Sequence, residues 1–354
     1  MSRVEDINRV YEHLEDIDSR RVFNAWLEYG FRRDDNVFLE AINENKKISL
    51  AGFDSFFRNI DKPKLIVYGC GHDGRFARRL LERSGYTVHA FCDSNTVSTR
   101  GGHQCVDGLE VLTYEELCDC KLECVVLVAS RKWYQKIYSK LIMGGFQYNQ
   151  IFLPLCYADY LVGTVSHQYF DFFKPKEREI FVDAGSFNGM TTVEFAEWAG
   201  PSYSGAYLYE PSKANEKVIR SNLAAHNINQ FELFLKGTWD SDCKLSFDGT
   251  STPGGSVGVG DDLVEMTSID STLRGREVTY IKMDIEGSES RALIGAKETI
   301  SKWKPRLAIC VYHKPTDFLD IPLQIMEMDL GYHFAMRQYT TLYWETVLYA
   351  WVEM

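Results

Sequence analysis

The chain has 354 residues, long enough for two ordinary domains, and 45% of them are apolar and 14% aromatic, ample for buried cores. The formal net charge is −11 and no long basic run occurs, which argues against DNA, RNA or an anionic membrane as the main partner. An anionic sugar nucleotide stays open, because a few local basic residues suffice for one phosphate.

Residues 1–60 read as a helical cap. Val4, Ile7, Val10, Tyr11 and Leu14 recur at helical spacing, and Val22, Phe23, Trp26 and Leu27 continue the pattern. The charged start carries no apolar core of signal type, and no run is long enough to span a bilayer. The expectation is a cytoplasmic protein. Nine scattered cysteines, among them Cys118, Cys120 and Cys124, lack the paired spacing of zinc sites and read as reduced thiols.

Residues 61–155 read as a small Rossmann-like α/β domain. Lys64–Tyr68 is an apolar strand, and Gly69-Cys-Gly-His-Asp-Gly74 is a tight turn opening a helix over 75–84. A second strand, 87–92, ends at Asp93, and a third covers 124–129. The glycine spacing with Asp93 matches the dinucleotide fingerprint, in which glycines admit the pyrophosphate and the acid holds a ribose. Taken alone it supports an NAD-dependent, sugar-modifying oxidoreductase. Rossmann-like folds also reuse the turn without a cofactor, so a non-catalytic binding or oligomerisation module is the other alternative.

Residues 156–178 bridge to the next domain, and their Tyr169-Phe-Asp-Phe-Phe173 run is expected to pack between the two. Residues 179–354 form the second α/β unit. Strands are predicted at 179–183, 205–210, 231–236, 278–283, 306–312, 332–338 and 345–351, the last two as an antiparallel hairpin. Residues 241–262 break the pattern and read as an inserted hairpin or mobile loop, rich in residues such as Thr250-Ser-Thr-Pro-Gly-Gly-Ser256.

Three of these strands end in acids: Asp183, Glu210 and Asp284. In an open α/β sheet that edge is where ligands bind. S-adenosylmethionine, with an ammonium, a carboxylate, a sulfonium and a ribose diol, suits such a pocket. Asp183 is placed to hold the ammonium. Gly185 and Gly189 let the backbone approach closely, and the helix opening beyond them offers free N–H groups to the carboxylate. Glu210 can accept from both ribose hydroxyls. Trp239 and Asp240, after the third strand, are placed beside the adenine. Asp284 and Glu286 follow the fourth strand, near the methyl group, where they could orient a hydroxyl, position the cofactor, bind a cation or merely cap a helix. His313 follows the fifth strand, and an imidazole there suits general-base work. No metal ligand set is assigned.

Four segments together resemble the FkbM-type methyltransferase family: Phe-Val-Asp-Ala-Gly-Ser-Phe-Asn-Gly (181–189), Tyr-Glu-Pro (209–211), Ile-Lys-Met-Asp-Ile-Glu-Gly (281–287) with Ala292-Leu-Ile-Gly-Ala296, and Glu-Thr-Val-Leu-Tyr-Ala (345–350). The resemblance covers about 165–354. It implies a class I methyltransferase fold, a seven-stranded doubly wound sheet preceded here by the Rossmann-like domain. It also implies S-adenosylmethionine as donor and O-methylation of a small molecule, with sugar or glycan hydroxyls as typical acceptors. Its cofactor positions fall on Asp183, Gly185, Gly189 and Glu210. Where many relatives read Arg-His-Tyr, this chain has Arg337-Gln338-Tyr339. The expected catalytic pair is His313 with Asp284, and a homo-oligomer is compatible with the cap.

Overall fold

The structure, a computed structural model, describes residues 2–34, 36–41, 48–49, 51–58, 63–94, 104–130, 133–153, 163–164, 168–247, 262–340 and 343–353. Contacts divide the chain into two units, Met1–Asn45 with Ser166–Met354, and Lys46–Val165. The stretch read as one cap over 1–60 is therefore shared. Helices Arg3–His13, Ile17–Arg32 and Asn36–Ala41 belong to the larger unit, and helix Ala51–Arg58 to the smaller.

The larger unit is built on a seven-stranded sheet. In chain order its strands are Glu179–Ala184, Tyr203–Tyr209, Phe231–Phe234, Tyr280–Met283, Arg306–Cys310, His333–Gln338 and Thr346–Trp351. In space they run third, second, first, fourth, fifth, seventh, sixth. The first five pair in parallel, and the seventh is antiparallel to both the fifth and the sixth. The first strand is buried at every position, as an apolar run with helices on both faces should be. Strand order reverses between the first and fourth strands, so the crevice for a ligand lies beyond their C-terminal ends.

The N-terminal helices complete the core on one face of this sheet. Val10, Leu14, Val22, Phe23 and Trp26 are buried with Phe318, Leu319, Phe334 and Met336. Burying each such side chain contributes about 1.5–3 kcal/mol. Ser2 and Glu5 form a capping box on the first helix, and Asp16 caps the second by accepting from the Ser19 amide at 2.7 Å. Asp16 also holds Arg337 of the sixth strand at 2.7 Å, and Trp26 Nε1 donates to Thr346 of the seventh at 3.0 Å.

The aromatic run at 169–173 covers the other face of the same sheet. Phe170 meets Phe181, Phe195 and Trp198, and Phe172 stacks on Tyr349 with ring centroids 4.8 Å apart. At the sheet edge away from the acids, Glu179 and Arg306 form a buried ion pair. Thr279 Oγ1 and the Lys176 amide donate to the same carboxylate.

The inserted segment is a hairpin, with Cys243–Phe247 antiparallel to Asp262–Thr267. Its middle, including Thr250–Ser256, lies outside the described residues. The smaller unit carries a six-stranded sheet in the order Cys105–Val106, Leu109–Leu112, Val88–Cys92, Lys64–Tyr68, Cys124–Val128, Ile151–Phe152. All its pairings are parallel except that of Cys105–Val106 with its neighbour. Part of the run after Asp93, residues 95–103, lies outside the described residues. Among the described residues no helix is long and apolar enough to cross a membrane.

Candidate active site

The turn after the first strand sets the geometry. Gly185 has φ +82°, and a Cβ there would lie 2.0 Å from the Asp284 carbonyl oxygen. Only glycine lets the turns after the first and fourth strands approach this closely. Gly189, at φ +81°, begins helix Met190–Ala199. The Gly185 and Ser186 amides both donate to the Tyr209 carbonyl, at 3.1 and 3.0 Å. Within the loop Ser186 and Gly189 are buried, and Phe187, at φ +46°, is 53% accessible.

Asp183 lies at the end of the first strand, as the sequence implies, but it is fully buried. Its carboxylate accepts from Thr192 Oγ1 at 2.8 Å and from Lys282 Nζ at 3.3 Å. Burial raises its pKa, with Lys282 and Thr192 offsetting part of the effect. Lys282 is a site residue that the strand-end pattern does not single out. It is 2% exposed, and Nζ donates to the Gly185 carbonyl at 2.8 Å as well as to Asp183. Burial works against its charge, yet Asp183 and Asp284 hold its pKa above the ordinary value. A lysine inside the buried run Tyr280-Ile-Lys-Met283 is the available signal, because an unpaired charge is not tolerated there.

Glu210 ends the second strand and is 6% exposed. It accepts from the Phe187 amide at 2.9 Å, the Ser212 amide at 2.8 Å and Asn215 Nδ2 at 3.3 Å. Burial raises its pKa against those donors. A carboxylate has about four acceptor positions, so capacity for a ligand hydroxyl remains while the group pins the glycine loop. Beyond the third strand, Asp240 pairs with Arg291 at 2.8 Å, and the Arg291 guanidinium lies 5.8 Å from the Trp239 ring centroid. These two residues therefore form one wall with helix Glu289–Ile294.

The densest chemistry lies after the fourth and fifth strands. Asp284 is a quarter exposed, at 26%. It accepts from Tyr169 at 3.0 Å and Tyr312 at 3.4 Å. Burial opposes its charge, but Lys282, His313 and the Tyr169 hydroxyl hold its pKa below the ordinary value. His313 is brought beside it, as the topology implies, with Nε2 3.4 Å from Asp284 Oδ1. The same nitrogen is 3.5 Å from Glu286 Oε2, and Nδ1 is 2.9 Å from Glu289 Oε1. Burial works against its charge, but Glu289, Asp284 and Glu286 push its pKa up to about 9. The three carboxylates around the imidazole favour its protonated form, which works against the general-base role expected of it.

Glu289 and Tyr169 also lie beyond the reach of the strand-end pattern. Glu289 is buried five residues after Asp284, and it accepts from the Ile285 amide at 2.9 Å. Its signal is a third acid in the run Asp284-x-Glu286-x-x-Glu289. Tyr169 carries none, because its contact spans 115 residues.

In the smaller unit, Gly69 has φ +108°, and a Cβ at Gly74 would lie 1.8 Å from the Gly69 carbonyl oxygen. Gly69 and Gly74 are thus explained by local packing, and Gly71, with nothing within 4 Å of an added Cβ, is not. The Asp93 carboxylate accepts from the Cys70 amide at 3.2 Å, and a cavity of about 630 Å³ adjoins Gly71, Asp93, Trp133 and Lys140.

Residues 183–340 match the family model of the methyltransferase FkbM domain. No curated protein matches the chain. Among solved structures, the chain is similar to a methyltransferase FkbM from Methylobacillus flagellatus KT, with 18% identity, a TM-score of 0.50, and 95% of this chain and 99% of that one covered. An rRNA methylase from Streptococcus thermophilus is 15% identical, with a TM-score of 0.34 and 51% of this chain and 90% of that one covered. A putative methyltransferase from Streptococcus mutans in complex with SAH is 15% identical, with a TM-score of 0.32 and 50% and 89% covered.

Proposed function

We propose that the chain, which carries a methyltransferase FkbM domain over residues 183–340, transfers a methyl group from S-adenosylmethionine to a hydroxyl of a small molecule, of which a sugar or glycan is the class we favour. One observation carries the reading. Asp183, Glu210 and Asp284 end three neighbouring strands at the edge where the strand order reverses, around a glycine loop that only glycine can form.

Each residue then has a task. Glu210 accepts from a ribose hydroxyl with the position its three donors leave unused. Asp183 acts through Lys282: the pair holds the Gly185 carbonyl, and so the loop, in place against the donor's methionine end. Gly185 and Gly189 admit the ligand. The Trp239–Asp240 wall, backed by Arg291, flanks the adenine. Asp284 meets the acceptor hydroxyl, with His313 behind it as a positioning residue.

The sulfonium is already an activated donor. The acceptor oxygen forms a bond to the methyl carbon while the carbon–sulfur bond breaks and leaves a thioether, and the hydroxyl proton departs to a base or to water. Alignment is the protein's main contribution. The test is calorimetry with S-adenosylmethionine, followed by transfer of labelled methyl to a panel of free sugars, glycans and sugar nucleotides. Saturable donor binding with label on an acceptor oxygen is expected. Absence of donor binding overturns the reading, and label on nitrogen or carbon overturns the hydroxyl assignment.

A further inference from the structure

Four side chains after the fourth and fifth strands leave an unusual balance. Ligand atoms of Asp284, Glu289 and His313 all lie within 4.8 Å of one another. Glu286 Oε2 lies outside that trio but 3.5 Å from His313 Nε2. The cluster is three carboxylates against one imidazole. Lys282 is nearby, but its Nζ is committed to Asp183 and the Gly185 carbonyl.

The contacts are close yet not hydrogen bonds. The His313 side chain is 8% exposed and that of Glu289 1%. Carboxylate oxygens stand 2.9, 3.4 and 3.5 Å from the ring nitrogens. Neither nitrogen has an oxygen at hydrogen-bonding geometry, and Glu289 Oε2 has no partner among the described residues. Polar atoms buried this deeply are normally satisfied.

A shared cation at Nε2 accounts for the spacing of the two carboxylate oxygens nearest to it. Metal–nitrogen and metal–oxygen bonds of about 2.0–2.2 Å, at tetrahedral angles, set ligand atoms about 3.4 Å apart. Asp284 Oδ1 and Glu286 Oε2 lie at 3.4 and 3.5 Å from Nε2. An ion between them would sit off each nitrogen–oxygen line, so the oxygens would fall off the axis along which an N–H points. Glu289 Oε1, 2.9 Å from Nδ1, is the carboxylate near enough to accept from that nitrogen once the ring turns Nε2 to an ion. Asp284 and Glu286 are 26% and 37% exposed, which leaves the outer side open to a further ligand.

We propose that Asp284, Glu286 and His313 Nε2 bind a divalent cation, with Glu289 orienting the imidazole. One nitrogen with carboxylate oxygens suits manganese or zinc better than calcium, which takes oxygen ligands alone. The open position faces the crevice, where an acceptor hydroxyl could join the ion and take over the contact with Asp284. That use of the ion rests on the methyl-transfer reading; its binding does not.

The test uses the full chain, stripped with chelator and titrated with Mn²⁺ alone, followed by electron paramagnetic resonance and calorimetry. One saturable ion per chain is expected, with a nitrogen coupling from the imidazole in the pulsed spectrum. Glu286→Gln and His313→Ala should each weaken binding tenfold or more, and His313→Ala should abolish the coupling. Glu289→Gln should weaken binding roughly tenfold and keep one site per chain. Circular dichroism confirms that each variant folds. If His313→Ala does not fold, the nitrogen coupling in the parent protein decides. No saturable Mn²⁺ binding, or binding without nitrogen coupling, overturns the proposal. Donor affinity is measured on the chelated protein, so failure of the cation site and failure of the methyl-donor reading are separate results.

Discussion

Gly185→Ala tests the central claim about the donor loop. The added Cβ would lie 2.0 Å from the Asp284 carbonyl oxygen and 3.1 Å from Ile285 Cγ2, where ordinary contact begins at 3.4 Å. The residue also sits at φ +82°. The left-handed conformation costs a non-glycine residue about 1–2 kcal/mol, and relieving overlap in a packed region costs about 1–3 kcal/mol more. A total of about 2–5 kcal/mol follows. If the loop keeps its place, stability falls by that amount, and the unfolding midpoint drops by about 5–15 °C for a unit of this size. If the loop moves instead, Lys282 loses its bond to the Gly185 carbonyl, and donor affinity falls at least about thirtyfold. Gly71→Ala in the smaller unit is the control. It has φ −73°, and nothing lies within 4 Å of the position its new methyl group would take, so it adds no overlap, costs only a glycine helix cap worth about 1 kcal/mol, and should leave donor affinity at the parental value. Differential scanning calorimetry and donor titration report both quantities. A Gly185→Ala protein with parental midpoint and parental affinity would refute the reasoning.

Glu210→Gln keeps the shape but loses the charge, and should weaken S-adenosylmethionine binding by about ten- to a hundredfold in calorimetry. Arg306→Ala strands the buried Glu179 carboxylate at the opposite sheet edge; it should cost about 3–5 kcal/mol in denaturant unfolding and leave donor affinity of the folded protein unchanged. Asp16→Asn keeps the helix cap and removes the charge facing Arg337. Burial opposes the Asp16 charge, but Arg337 and Ser19 hold its pKa below the ordinary value. A depressed carboxylate stabilises the fold above its unfolded pKa and loses that effect as pH falls through the folded one. The variant should therefore be less stable than the parent at pH 7, by about 1 kcal/mol for a pair in which Asp16 is a third exposed, and the difference should shrink as pH falls below the ordinary carboxylate range. A difference that grows on acidification would contradict the assignment.

Much of this protein is legible in one dimension. Apolar runs such as Ile180-Phe-Val182 can only be buried strands, and the first, second and fourth end where an acid stops the run. The seven strands of the large sheet occur where periodicity puts them, within two residues at most ends. Asp183, Glu210, Asp284 and His313 follow from the same logic, since carboxyl ends of parallel strands share one edge whatever the detail of packing.

Other features depend on where side chains stop. The sequence places Asp183 at the edge but does not show that Lys282 and Thr192 occupy it. It places His313 beside Asp284 but not among two further acids, whose summed field favours its charged form. It presents the N-terminal helices as a cap, although Phe23 and Trp26 finish a core whose other half lies some 300 residues on. Local pattern records which face of an element is apolar. Which distant charges and rings meet that face is set only when the chain closes on itself, because such contacts depend on distances no periodicity encodes.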